Sequence, residues 1–101
     1  MMEACETVAR LVAGKSRDSL GEDVALALAL ARSLEIAGEA AARLNTATRE
    51  RYPEVPWAQV IGMRNRLVHA YFDINPDILW RSAAMEAPLL LKQLRRIRAA
   101  D

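Results

Sequence analysis

The segment Gly62-Met63-Arg64-Asn65-Arg66-Leu67-Val68-His69-Ala70-Tyr71 gathers the sole histidine of the chain with two arginines, an amide and a phenol. Imidazole is the side chain best placed to move a proton near neutral pH. Guanidinium grips phosphate well and can hold the negative charge that grows on a phosphorane. Together they form a minimal set for cleaving RNA without a metal. The 2′-hydroxyl would attack the adjacent phosphate, the imidazole would move the proton, and the guanidinium would stabilise the developing charge. Arg64 and His69 are the candidate catalytic pair, with Asn65 and Arg66 in support.

Geometry constrains how these groups cooperate. A helix turns ~100° per residue, so Asn65 and His69 share a face on a regular helix. Tyr71 falls within ~20° of the line through Arg64, whereas Arg64 and His69 diverge by ~140°. Convergence then needs one of three things: a helix that unwinds near His69, a long Arg that reaches round, or a second chain that supplies the complement. Dimerisation is the preferred route, because it would also concentrate positive charge that one chain lacks. The spacing alone is weak evidence, because 12 of the 101 residues are Arg and such a pair arises readily by chance. A lone His on a helix is also compatible with a hydrogen-bonded structural role.

Bulk properties narrow the field. A length of 101 residues suits one domain spanning 1–101, and an apolar share of 52% is enough for a core. Ala and Leu dominate that share while β-branched residues are sparse, which favours helices. The net charge of +1 argues against a broad nucleic-acid-binding surface, so any RNA contact should be local or shared between two chains. One cysteine, Cys5, excludes an intrachain disulfide and fits a reducing cytosol. No apolar run is long enough to span a membrane, and acids near the N-terminus are unlike a signal peptide, so the expected location is cytoplasmic. One His and one Cys with scattered carboxylates cannot close a metal site. No glycine-rich phosphate loop appears either, and no cofactor is expected.

Four helices must position the cluster. The first spans about Glu3–Ala13, with Gly14 as its stop. The second is long, from Gly21–Asp23 to about Leu44, with Leu26, Leu30, Leu34, Ala37, Ala41 and Leu44 on one stripe. Gly38 in its interior costs helix propensity but lets a neighbouring helix come close. Thr46–Arg51 supplies one more turn, and counted separately it makes a five-helix bundle. After the proline-rich connector, a third helix is expected over Trp57–Ala70. Asn75 caps a fourth over Pro76–Arg98, with Ile78, Leu79, Met85, Leu89, Leu90, Leu94 and Ile97 on its buried side. Pro88 removes one backbone donor there and should cause a kink or local restart. Short connections between such helices give an all-α, antiparallel up-down bundle. Trp57 and Trp80 read as core anchors, Glu39 and Arg43 as an exposed pair, and Lys92, Arg95, Arg96 and Arg98 as a basic last turn suited to the helix dipole.

The blocks Leu34-Glu35-Ile36-Ala37-Gly38-Glu39-Ala40-Ala41, Tyr52-Pro53-Glu54-Val55-Pro56-Trp57, Ile61 through Phe72, and Asp77-Ile78-Leu79-Trp80 resemble, in this order, HepT-like proteins of the HEPN family. The likeness covers about Leu34 to Trp80. The family motif is Arg, four residues, His, any residue, Tyr, which Arg64, His69 and Tyr71 fill, with polar Asn65 after the Arg. Ala70 departs from the pattern, standing where such sequences often carry Gly. The resemblance implies a HEPN-like bundle acting as a homodimeric, metal-independent endoribonuclease toxin of a type VII-like toxin–antitoxin pair. It also implies an antitoxin, a nucleotidyltransferase of the MNT type, which silences the toxin by adding AMP to Tyr71. The alternative is a non-catalytic HEPN module that binds such a nucleotidyltransferase and a nucleotide or RNA phosphate.

Overall fold

Three helix starts in this chain carry their own local signal. Asp23 accepts a hydrogen bond from the Leu26 amide, Asn45 from Thr48, and Asn75 from Asp77 and Ile78, with Pro76 following at the first helical position. These are N-caps that satisfy amides a helix leaves unpaired. Gly14 closes the first helix with φ +72°, a left-handed conformation that favours glycine. In the computed structural model, residues 1–69 and 73–100 are described, with the backbone alone at 64, 65, 67–69, 73, 74 and 100.

The elements are α1 (Met2–Val12), α2 (Ser19–Glu22), α3 (Val24–Ala42), α4 (Thr46–Arg51), α5 (Trp57–Leu67), β1 (Val68–His69), β2 (Asp73–Ile74), α6 (Pro76–Arg81), a π-helical turn (Ser82–Glu86) and α7 (Ala87–Ala100). The protein is an all-α bundle, as expected. The extended pieces are two residues each and pair antiparallel, Val68 with Ile74 and His69 with Asp73. Helix α3 is the central element, flanked by α1 and α5, and α7 packs against α1. Glu6 meets Arg95 and Met2 meets Arg98, so α1 and α7 run antiparallel.

Two apolar clusters meet along α3. Leu26, Leu30 and Leu34 join Val8, Met63, Leu79 and Ala83 in one. Ala37 and Ala41 join Cys5, Val55, Val60, Leu90 and Leu91 in the other. The apolar stripe expected on the long helix is therefore its buried face, with Leu44 only half-buried at its end. Trp57 and Trp80 pack at the margins of the clusters, and the Trp57 indole donates to the Tyr52 carbonyl at 2.9 Å.

Three expectations change. The second helix does not run unbroken from Gly21, because Asp23 adopts an extended conformation and separates α2 from α3. The third helix stops at Leu67 rather than Ala70. On the fourth, Met85 and Leu89 are 64% and 65% exposed instead of buried. The cause lies in the π-helical turn before Pro88, where the Ala87 amide bonds the Ser82 carbonyl five residues back. Such a wide turn amounts to about one inserted residue and rotates the helix beyond it. It also sits where the proline ring would otherwise press on the preceding turn. Small Ala83 and Ala87 then face the core, and Met85 and Leu89 turn outward.

Gly38 marks a close helix crossing. A Cβ built there would stand 2.9 Å from the Val60 carbonyl oxygen on α5, whereas one on Gly62 would meet nothing within 4 Å. Gly38→Ala should therefore destabilise the fold by about 1–2 kcal/mol, despite the better helix propensity of Ala, because the obstructing atom is backbone. Gly62→Ala, in the interior of α5, should stabilise by roughly 0.5–1 kcal/mol. Thermal melting of the two variants checks the opposite signs.

Candidate functional site

Helix α5 carries Arg64, Asn65 and Arg66 in its last turn, and the chain then leaves the helix. The β-branched Val68 and the pairing of Val68–His69 with Asp73–Ile74 favour extended backbone. His69 thus lies in β1 rather than on the helix face it would share with Asn65. Of the three conditions named from the sequence, an unwound backbone near His69 is present: three helical residues follow Arg64, then two extended ones. The rise per residue changes there from ~1.5 Å to ~3.3 Å, so the ~140° divergence of a regular helix no longer applies. The side chains of Arg64, Asn65 and His69, and the whole of Tyr71, lie outside the described residues.

Arg66 is the candidate whose side chain is described, and it is engaged. Its Nη1 stands 3.3 Å and 3.2 Å from the two carboxylate oxygens of Glu86, and its Nη2 donates to the Gln59 carbonyl at 2.8 Å. Ser82, 1% exposed, donates its hydroxyl to the same carboxylate at 3.3 Å. These residues join the end of α5 to the π-helical turn. A shallow cavity of ≈ 130 Å³ beside them is lined by Val60, Met63, Leu89 and Leu90 with Gln59, Arg66, Glu86 and Gln93. Sequence reasoning missed Glu86 and Ser82. One signal was there: Glu86 is the single acid between Asp77 and Asp101, in an otherwise apolar and basic stretch.

Other charged residues form peripheral contacts. Arg32 on α3 lies 3.3 Å from Glu35 and 3.9 Å from Glu39. Arg17 bonds Asp77 at 2.8 Å across the α2–α6 junction, with both side chains well exposed. Such pairs contribute little to stability. Lys92, Arg95, Arg96 and Arg98 are exposed on α7, with Arg95 3.9 Å from Glu6. Among the described residues no three His, Cys, Asp or Glu side chains cluster as metal ligands, and no helix is long and apolar enough to cross a membrane.

Cys5 is 2% exposed in the second apolar cluster. Burial, together with the nearby Glu6, pushes its thiol up from 9.0 to about 11 against the opposing pull of the N-terminal ammonium. The thiol is therefore protonated at neutral pH and not a nucleophile.

The family model described as Ribonuclease HepT-like matches residues 1–97. A protein named "Putative RNase" from Caldanaerobacter subterraneus subsp. tengcongensis is 39% identical over 97 residues, covering 96% of this chain and 87% of its own length. Another of that name, from Methanocaldococcus jannaschii, is 41% identical over 66 residues, 65% of this chain and 61% of its own length. A "Probable ribonuclease HepT" from Thermococcus cleftensis is 34% identical over 70 residues, 69% of this chain and 64% of its own length. The chain thus spans somewhat under two thirds of the latter two relatives. No solved structure matches it.

In the folded protein, iodoacetamide at about pH 8 should leave Cys5 unmodified while labelling it rapidly in urea. Because the folded thiol titrates above the unfolded one, its contribution to stability is complete below pH 9.0 and is lost as pH rises toward about 11. Denaturant titrations across that window should show the decline in wild type and a flatter curve in Cys5→Ala.

Proposed function

Because the chain belongs to the HepT-like ribonuclease family, we propose that it is a metal-independent endoribonuclease in which Arg64 and His69 act on one phosphodiester. The 2′-oxygen forms a bond to phosphorus, the bond from phosphorus to the 5′-oxygen breaks, and a 2′,3′-cyclic phosphate results. The imidazole of His69 takes or returns the proton, and the guanidinium of Arg64 holds the charge on the non-bridging oxygens. The observation that supports this most is the end of α5 at Leu67, which takes His69 out of the helical register and off the face it would share with Asn65. Asn65 is the adjacent polar support.

The active species in this reading is a homodimer with its two motifs facing one another. Its support is a molecule only 16 Å across in its thinnest direction, with apolar Val24, Leu28, Met85 and Leu89 left exposed. In the same reading the protein is the toxin of a type VII-like toxin–antitoxin pair, silenced by an MNT-type nucleotidyltransferase. The Tyr71 phenol attacks the α-phosphorus of ATP, pyrophosphate leaves, and AMP remains as a bulky anionic ester beside the catalytic pair.

Purified protein should cut single-stranded RNA in EDTA and leave cyclic or 3′-phosphate ends. His69→Ala should lower kcat by roughly 10²–10⁴-fold, and Arg64→Ala by about 10²–10³-fold. RNA cleavage undiminished in His69→Ala would defeat the assignment, and RNA retained but left uncut by wild type would favour the non-catalytic module. Incubation with an MNT-type enzyme and ATP should add one AMP to the chain and abolish cleavage. Mass spectrometry of Tyr71→Phe should find no such adduct.

A further inference from the structure

The backbone positions of Arg64 and Arg66 fall on different sides of α5. Positions 64 and 66 are separated by ~200° around the helix axis. Position 64 shares a face with Val60 and Ile61, whose carbonyls approach Gly38 on α3. Arg66 instead lies back along α5 over two turns to the Gln59 carbonyl and across to Glu86. Its cationic group is neutralised by a carboxylate at 3.2 Å. That carboxylate would repel an incoming phosphate. Arg66 is therefore badly placed to grip RNA and well placed to hold something still.

What it holds is the end of α5. The Arg66 and Glu86 side chains are 38% and 29% exposed, so the pair is partly shielded from water. Removing one partner would leave the other poorly compensated. The buried Ser82 hydroxyl braces the carboxylate from behind. The Arg66 Nε–H is buried with no acceptor among the described residues, so the bonds to Glu86 and Gln59 form the hold on this guanidinium. Glu86 closes the π-helical turn, and the extra residue of that turn brings it to this side of the helix. One residue beyond Arg66 the helix ends and the chain turns toward His69.

We propose that Glu86, braced by Ser82, is a positioning residue that clamps Arg66 to the π-helical turn and so sets the placement of the Arg64–His69 pair. The proposal rests on the nuclease reading for its kinetic consequence, while the clamp itself is a mechanical claim about α5. Small displacements of catalytic groups cost rate much more than they cost binding.

The test is a set of four variants, Glu86→Ala, Arg66→Ala, the double alanine variant and the charge swap Arg66→Glu/Glu86→Arg, each assayed for RNA cleavage. Glu86→Ala and Arg66→Ala should each lower kcat by about 10-fold or more with KM within roughly 3-fold. The double variant should be no worse than either single one, and the charge swap should recover part of kcat. Hydrogen exchange should quicken at the amides of Gly62–Leu67 in both single variants and stay unchanged in α1. If Arg66→Ala raises KM in a salt-dependent way while Glu86→Ala leaves kcat intact, Arg66 is a phosphate ligand and the clamp is refuted. If wild type cuts no RNA, the nuclease reading fails, and exchange at Gly62–Leu67 still decides the clamp: quickened exchange upholds it and unchanged exchange overturns it.

Discussion

The seat of α5 against α3 is the constraint on which the rest depends. At Gly38 the two backbones come so close that the Val60 carbonyl obstructs even a Cβ, with the Ile61 carbonyl in van der Waals contact beside it. Close approach there lets Val60 and Met63 bury into the two apolar clusters, to which α1, α3 and α7 contribute most of the other residues. The helix bearing Arg64 is thereby tied to the most buried element of the molecule. The proposed Arg64–His69 pair needs such a rigid support, because catalytic geometry tolerates little displacement.

From that seat, the C-terminal end of α5 is shaped by two opposing tendencies. Helical hydrogen bonding carries the chain as far as Leu67, and then antiparallel pairing with Asp73–Ile74 takes over. A two-residue ribbon is marginal by itself. It is held here between α5 and the capped start of α6, where Asn75 bonds two amides and Pro76 sets the first turn. The Arg–His interval is thus spanned by a helix end instead of a helix, and the spacing in sequence does not translate into an angle around one axis.

On the far side, the fourth helical stretch is regular only in its outer parts. The proline at position 88 and the wide turn before it change which residues face inward, so alanines pack against α1 while Met85 and Leu89 face solvent. The same turn brings Glu86 to Arg66. An irregularity that costs the helix a regular hydrogen-bonding pattern therefore also supplies the polar contact that braces α5.

Much of this was legible in the residues. Asn75-Pro76 announced the start of α6, Gly14 the end of α1, and the Leu26–Ala41 stripe the face α3 buries, because caps and apolar periodicity act within a few residues along the chain. Gly38 announced a close crossing for the same reason, and the ordered blocks around Arg64, His69 and Tyr71 identified the family. The end of α5 at Leu67 was not legible, since two extended residues have no period to read and their stability comes from a partner strand. Nor was the outward turn of Met85 and Leu89, because a π-helical turn resets phase without changing composition. The Arg66–Glu86 contact, spanning twenty positions, belongs wholly to tertiary structure: only the packing of α5 beside the wide turn decides which acid meets which base.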